Sequence, residues 1–308
     1  MARLDGRALL VLSARDLLQA AAREKVLLVA LVAPSPAAMA GFARAARDAD
    51  APLVLVRPSG AAEEKGPEEA RDDSAFVEAA FRAADELHFG GPVALLKEPP
   101  RAGSAVSETE RVQREIEAGF TGVALAAEDS AVGARDAALA ASMVCQLELG
   151  LEVVPLGGAQ AAAELARQLK SRGAPPSAVR LTGLEDQAAA LAAEGIAVSS
   201  ATESLGGKLL YQRVQQLVAS GPFLRALRRA APPDVWEKLL AWADEKGATL
   251  DQAAARHQRL LRDLPAAAQE RLEALACFEA LELFQVCGAR GSGPRLEAAL
   301  MALHEGED

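Results

Sequence analysis

The sequence predicts an α/β protein built on a parallel sheet, followed by a helical C-terminal part. Two observations carry the sheet and one carries the extension. Short apolar runs alternate with alanine-rich amphipathic stretches between Val26 and Ser199. Most of these runs are continuous rather than alternating, as expected for strands buried on both faces. From Ser204 onward the pattern reads as helix alone, punctuated by Pro222, Ala231–Asp234, Gly247 and Pro265.

In chain order the strand candidates are Val26–Val32, Pro52–Arg57, Pro92–Leu96, Gly122–Ala126, Leu151–Val154, Ala178–Leu181 and Ile196–Ser199. Each has the length of a buried strand. The helices between them are Ala37–Asp48, Asp73–Leu87, Ser107–Ala118, Ala134–Leu149, Ala159–Ser171 and Leu184–Glu194. Ser107 with Glu110 three residues on has capping-box form. Gly150, Gly173 and Gly195 stand where a glycine ends a helix just before a strand. Gly60–Asp73, "GAAEEKGPEEARDD", reads as an acidic loop, with an active-site lid as the alternative. Strand–helix alternation implies a parallel sheet with right-handed crossovers. Seven strands are one short of the eight that close a (β/α)8 barrel. The barrel is therefore expected to be irregular or short by one strand–helix unit. A doubly wound sheet fits the count as well, but no G-x-G-x-x-G follows any strand. Residues 1–204 are assigned to the α/β part. Residues 205–308 form a helical extension that packs on it within one structural domain.

Composition narrows the function. The chain of 308 residues is 51% hydrophobic, enough for a sizeable core, and 4% aromatic, so aliphatic packing dominates. A net charge of −10 argues against nucleic acid, which needs a basic surface. No apolar stretch reaches the ~20 residues of a membrane helix, and the opening "MARLDGRALLVLSARD" does not read as a signal peptide. Cys145, Cys277 and Cys287 are odd in number and make no metal motif, which suggests reduced thiols in a cytoplasmic protein.

The order of segments resembles the class II, zinc-dependent fructose- and tagatose-bisphosphate aldolases and the non-catalytic subunit of tagatose-bisphosphate aldolase. "SARDLLQAAAREK" with "VLLVALV" resembles the family's opening helix and first strand. "AFVEAAFRAADELHFGGPVALLKEPP" resembles the approach to its metal strand, and "EIEAGFTGVALAAEDS" its fourth strand. "GLEVVPLGG", "EGIAVSSATES" and "EALELFQVCGARGSG" resemble its double-glycine strand, its last barrel strand and its closing helix. The resemblance implies a TIM barrel, but not its chemistry. The family's third strand ends H-x-D-H-G; here Leu96, Glu98, Pro99 and Pro100 occupy those positions. Leu181 stands at the histidine before the family's G-G-S. The chain's three histidines, His88, His257 and His304, lie elsewhere. The family's zinc site is built from imidazole ligands with an open position, so no metal and no cofactor are expected. Between "PLGG" and "SAVRLTG" there is room for one helix only, so a whole strand–helix unit is expected to be missing or condensed.

The same resemblance implies a partly eroded phosphate grip from Gly157, Gly158, Thr182, Gly183, Ser199 and Thr202. Ala126 replaces an aspartate of the fourth strand, whereas Glu152 matches a glutamate of the fifth. Glu98 is read either as a general base or as a strand-end carboxylate in an ion pair. Glu152 is read as catalytic or as paired with Arg180. Lys97 suggests a Schiff base, but it alternates with Glu98 and so points away if Glu98 points in. Trp236, Trp242, Phe278 and Phe284 are core residues or an interface for a homo-oligomer or a protein partner. The function expected is an inactive aldolase-like barrel with a structural, regulatory or assembly role. The alternatives are a metal-independent lyase or isomerase on a small phosphorylated sugar, and a sugar-phosphate sensor.

Overall fold

In the computed structural model, the structure describes residues 3–4, 7–8, 10–59, 67–99, 107–127, 131–155, 159–181, 187–201 and 214–305. Eight parallel strands close a barrel: β1 Leu28–Val32, β2 Leu53–Arg57, β3 Pro92–Lys97, β4 Gly122–Ala127, β5 Gly150–Pro155, β6 Ala178–Leu181, β7 Val198–Ser200 and β8 Gln216–Ala219. Each strand pairs with the next, and β8 returns to β1 with Leu217 opposite Val29. The fold is thus a (β/α)8 TIM barrel with C-terminal helices. Helix α1 (Ala14–Glu24) precedes β1. Then α2 (Pro36–Ala49), α3 (Pro67–Glu86), α4 (Glu108–Ala118), α5 (Ala131–Gln146), α6 (Ala159–Ser171) and α7 (Gln187–Ala193) follow β1 to β6 in turn. Beyond β8 come α8 (Gly221–Ala230), α9 (Pro233–Lys246), α10 (Leu250–Arg256), α11 (Gln258–Arg262), α12 (Ala266–Val286) and α13 (Gly293–Glu305).

Four sequence expectations change. No strand is missing from the barrel: the eighth is Gln216–Ala219, inside the stretch read as helix only and past the 204/205 boundary. The strand containing Ser199 is therefore the seventh, and "EGIAVSSATES" is not the last barrel strand. Pro67–Asp73 of the expected acidic loop are the opening turns of α3. Gly150 does not cap α5. Glu148 takes the left-handed conformation there (φ 56°), and Gly150 opens β5.

Gly150 answers to packing instead. A Cβ on it would lie 2.6 Å from the Ala14 Cβ, and one on Gly122 would lie 2.8 Å from the same methyl. Helix α1 therefore sits hard against the barrel floor. Its N-terminus is fixed by Ser13, whose Oγ accepts from the Arg15 amide at 3.1 Å.

The strands alternate between two cores. Leu28, Ala30, Val32, Val54, Val56, Ala94, Leu96, Ala178 and Val218 turn inward and pack with α1 and α13. Leu27, Val29, Leu31, Leu53, Leu55, Val93 and Leu95 turn outward against the helix ring. Helix α12 lies on α2 so closely that a Cβ on Gly41 would strike the Glu273 carbonyl and approach the Ala276 Cβ at 2.9 Å. Among the described residues, no helix is long and apolar enough to cross a membrane.

Candidate functional site

Chemistry in this fold belongs at the C-terminal ends of the strands, and there the inward phase becomes polar. Leu96 faces the interior, so Glu98, two residues on, does too. Register places Ala124 opposite Glu152 and Arg180 opposite Ser199. The small Ala124 leaves room between strands β3 and β5, and the side chains of Glu98, Glu152, Arg180 and Ser199 converge.

Arg180 holds both carboxylates. Its Nη1 donates to Glu98 Oε1 at 2.8 Å and its Nη2 donates to Glu152 Oε2. The Ser199 hydroxyl donates to the other Glu152 oxygen. The Glu98 backbone is pinned as well: its amide donates to the Arg57 carbonyl at 2.9 Å, and its carbonyl accepts from Ser59 Oγ. Arg180 and Glu152 are buried, whereas the Glu98 side chain keeps 21% of its surface exposed. Glu98 is thus the member of the cluster that solvent can reach. Below the cluster the barrel is nearly solid. A void of about 10 Å³ lined by Leu18, Leu96, Glu152 and Gln216 holds at most one water.

The electrostatics are uneven. Burial works against the Arg180 cation, but Glu152 and Glu98 outweigh it and hold the guanidinium above its usual range. For Glu98, burial pushes the carboxyl above the ordinary 4.5; Arg180 opposes this, while Asp251 and Glu152 reinforce it. One guanidinium cannot fully balance two carboxylates with a third nearby, and the imbalance falls on Glu98, whose ionised form is disfavoured. Asp251, buried on α10, was not singled out in the sequence.

Lys97 confirms the alternation argument by pointing the other way. Outside the barrel, between β2, β3, α3 and α4, its Nζ lies 2.8 Å from Asp73 and 3.6 Å from Glu115. Asp73 also pairs with Arg57. Arg111 joins Glu115 to Glu108, both at 2.5 Å, and donates to the Ala124 carbonyl at 2.7 Å. Lys97 is thus held in a buried ionic network, away from the interior where a Schiff base would form.

Among the described residues no three His, Cys, Asp or Glu side chains group as a metal site. His88 lies in the turn before β3, at the opposite end of the barrel, its Nδ1 3.1 Å from the Asp85 carbonyl. His257 lies in the C-terminal helices edge-on to Trp242, and His304 is on α13. Leu181 points outward into the helix-facing core rather than into the barrel.

Of the phosphate candidates, the structure brings Ser199 to the cluster, where its hydroxyl is engaged by Glu152. Gly157, Gly158, Thr182, Gly183 and Thr202 lie outside the described residues.

No protein-family model matches the chain, and no curated protein does. Solved structures do. The YdjI aldolase from Escherichia coli K12 is similar with a TM-score of 0.58 at 10% identity, over 92% of this chain and 100% of that one. A putative fructose-1,6-biphosphate aldolase from Coccidioides immitis gives a TM-score of 0.62 at 12% identity, over 92% of this chain and 98% of that one. At such identities the likeness is one of fold.

Proposed function

We propose that this chain is an aldolase-like barrel without aldolase chemistry, serving a structural, regulatory or assembly role. The observation that carries the reading is the mutual engagement of the polar side chains inside the barrel. Among the described residues, Glu98, Glu152, Arg180 and Ser199 project into the C-terminal half of the barrel and are engaged with one another: Arg180 commits one arm to each glutamate and Ser199 is taken by Glu152. Pro99 and Leu96, where the resemblance calls for histidines, offer no metal donor. The half-exposed face of the C-terminal helices, with Phe278 52% exposed on α12, suits a homo-oligomer or protein partner.

The test is calorimetric titration with dihydroxyacetone phosphate, with and without zinc, together with an assay for aldol cleavage. The expected outcome is no turnover in either condition. Zinc-dependent binding with turnover would overturn the reading. Zinc-independent binding without turnover would identify a sugar-phosphate sensor.

One observation favours a second reading, a metal-independent lyase or isomerase. Glu98 is partly exposed and burial raises its pKa, the condition for a general acid. On that reading Glu98→Gln abolishes turnover; on the first it leaves any ligand binding and the fold in place.

A further inference from the structure

A concave site lies at the other end of the barrel, beneath its floor. The groove has a volume of about 610 Å³, within the range of small-molecule sites. It is formed by α1, the end of α5 and the segments that lead into β6, β7 and β8. Leu18 lines both this groove and the small void under Glu152, so it forms part of the partition between them.

Its chemistry has a sign. Arg15 is the one charged side chain in the lining, and no carboxylate faces it. Acidic residues outnumber basic ones in this chain, 43 against 33, so a concave surface that excludes them is selective. Arg15 has no ion-pair partner among the described residues, and Glu194, just past the end of α7, is taken up by Arg167. Around Arg15 the amides of Gln19 and Gln215 supply further hydrogen bonds, and Leu149 and Ile196 supply apolar walls.

We infer that this groove binds a small organic anion, its carboxylate or phosphate on Arg15 and its apolar body against Leu149 and Ile196. A guanidinium without a counter-charge in a half-enclosed site favours a planar anion by paired hydrogen bonds. The inference is independent of whether the C-terminal end of the barrel is catalytic.

Benzoate supplies both the anion and the body, inorganic phosphate the anion alone, and both are titrated into the full chain by calorimetry. Cys145 lines the same groove, whereas Cys277 and Cys287 are buried, so iodoacetamide labelling of Cys145 reports occupancy. Benzoate is expected to bind saturably, more tightly than phosphate, and to slow Cys145 labelling. Arg15→Gln is expected to weaken it about ten-fold or more. Ala192→Trp, at an exposed lining position on α7, fills the groove without touching Arg15 and is expected to abolish binding. No saturable benzoate binding at millimolar concentrations overturns the inference. So does binding that Arg15→Gln or Ala192→Trp leaves unchanged, or that leaves Cys145 labelling unaffected, or a preference for phosphate.

Discussion

Lys97 and Glu98 are neighbours on one strand, and each anchors a buried charge cluster on the opposite face of the barrel wall. Among the described residues, the outer cluster joins three cations, Arg57, Lys97 and Arg111, to three anions, Asp73, Glu115 and Glu108. The inner cluster joins one cation, Arg180, to two, Glu98 and Glu152. The difference teaches where a proton can be kept. A balanced network satisfies its charges internally and acts as a staple between strands and helices. An unbalanced one leaves a carboxyl whose ionised form is disfavoured, and here it is the carboxyl closest to solvent.

The contrast breaks hardest at Arg180. Arg180→Met strands two carboxylates in the barrel, and urea unfolding is expected to show a loss of about 3–5 kcal/mol. Adding Glu98→Gln and Glu152→Gln to that variant should recover much of it, because no buried charge then remains unpaired. The matching change outside, Lys97→Met, is expected to cost less, about 1–3 kcal/mol. Asp73 retains Arg57 and Glu115 retains Arg111. Equal losses for the two variants would end the distinction between staple and imbalance.

The smallest effect is the most diagnostic. Glu98→Gln should change stability little near pH 4 and should make the protein more stable than the wild type at neutral pH. The carboxyl is raised above 4.5 in the folded chain, so the folded state binds the proton more tightly than the unfolded one. That contribution is complete below the unfolded value and is lost as pH rises through the folded one, by at most about 1.4 kcal/mol per pH unit. Unfolding followed across pH 4 to 8 checks it. A wild type that gains on the variant as pH rises would mean that Arg180 outweighs burial.

The inner cluster was largely legible in the sequence because strand alternation is strict. Glu98 and Lys97 must face opposite ways, and Glu152 and Arg180 lie on adjacent strands. The outer cluster was not, because a charged residue on an amphipathic helix reads as solvated. Its signal was phase: Asp73 shares the stripe of Phe76, Val77 and Ala80, and Glu115 that of Val112, all buried. Strand β8 escaped for a related reason. It is four residues long, and its inward Gln216 is buried opposite Ser199 in the polar sector of the barrel.

The packing of α12 on α2, and of α13 on α1, fixes an order of events during synthesis. The buried face of α2, with Met39, Phe42 and Ala46, is made early. Its cover, α12, ends at Val286, so it leaves the ribosome roughly ten to fifty seconds later at ordinary translation speeds. Strand β8, which closes the ring on β1, is likewise made late. Throughout that interval the apolar face of α2 waits without its cover, and the C-terminal helices complete the molecule last.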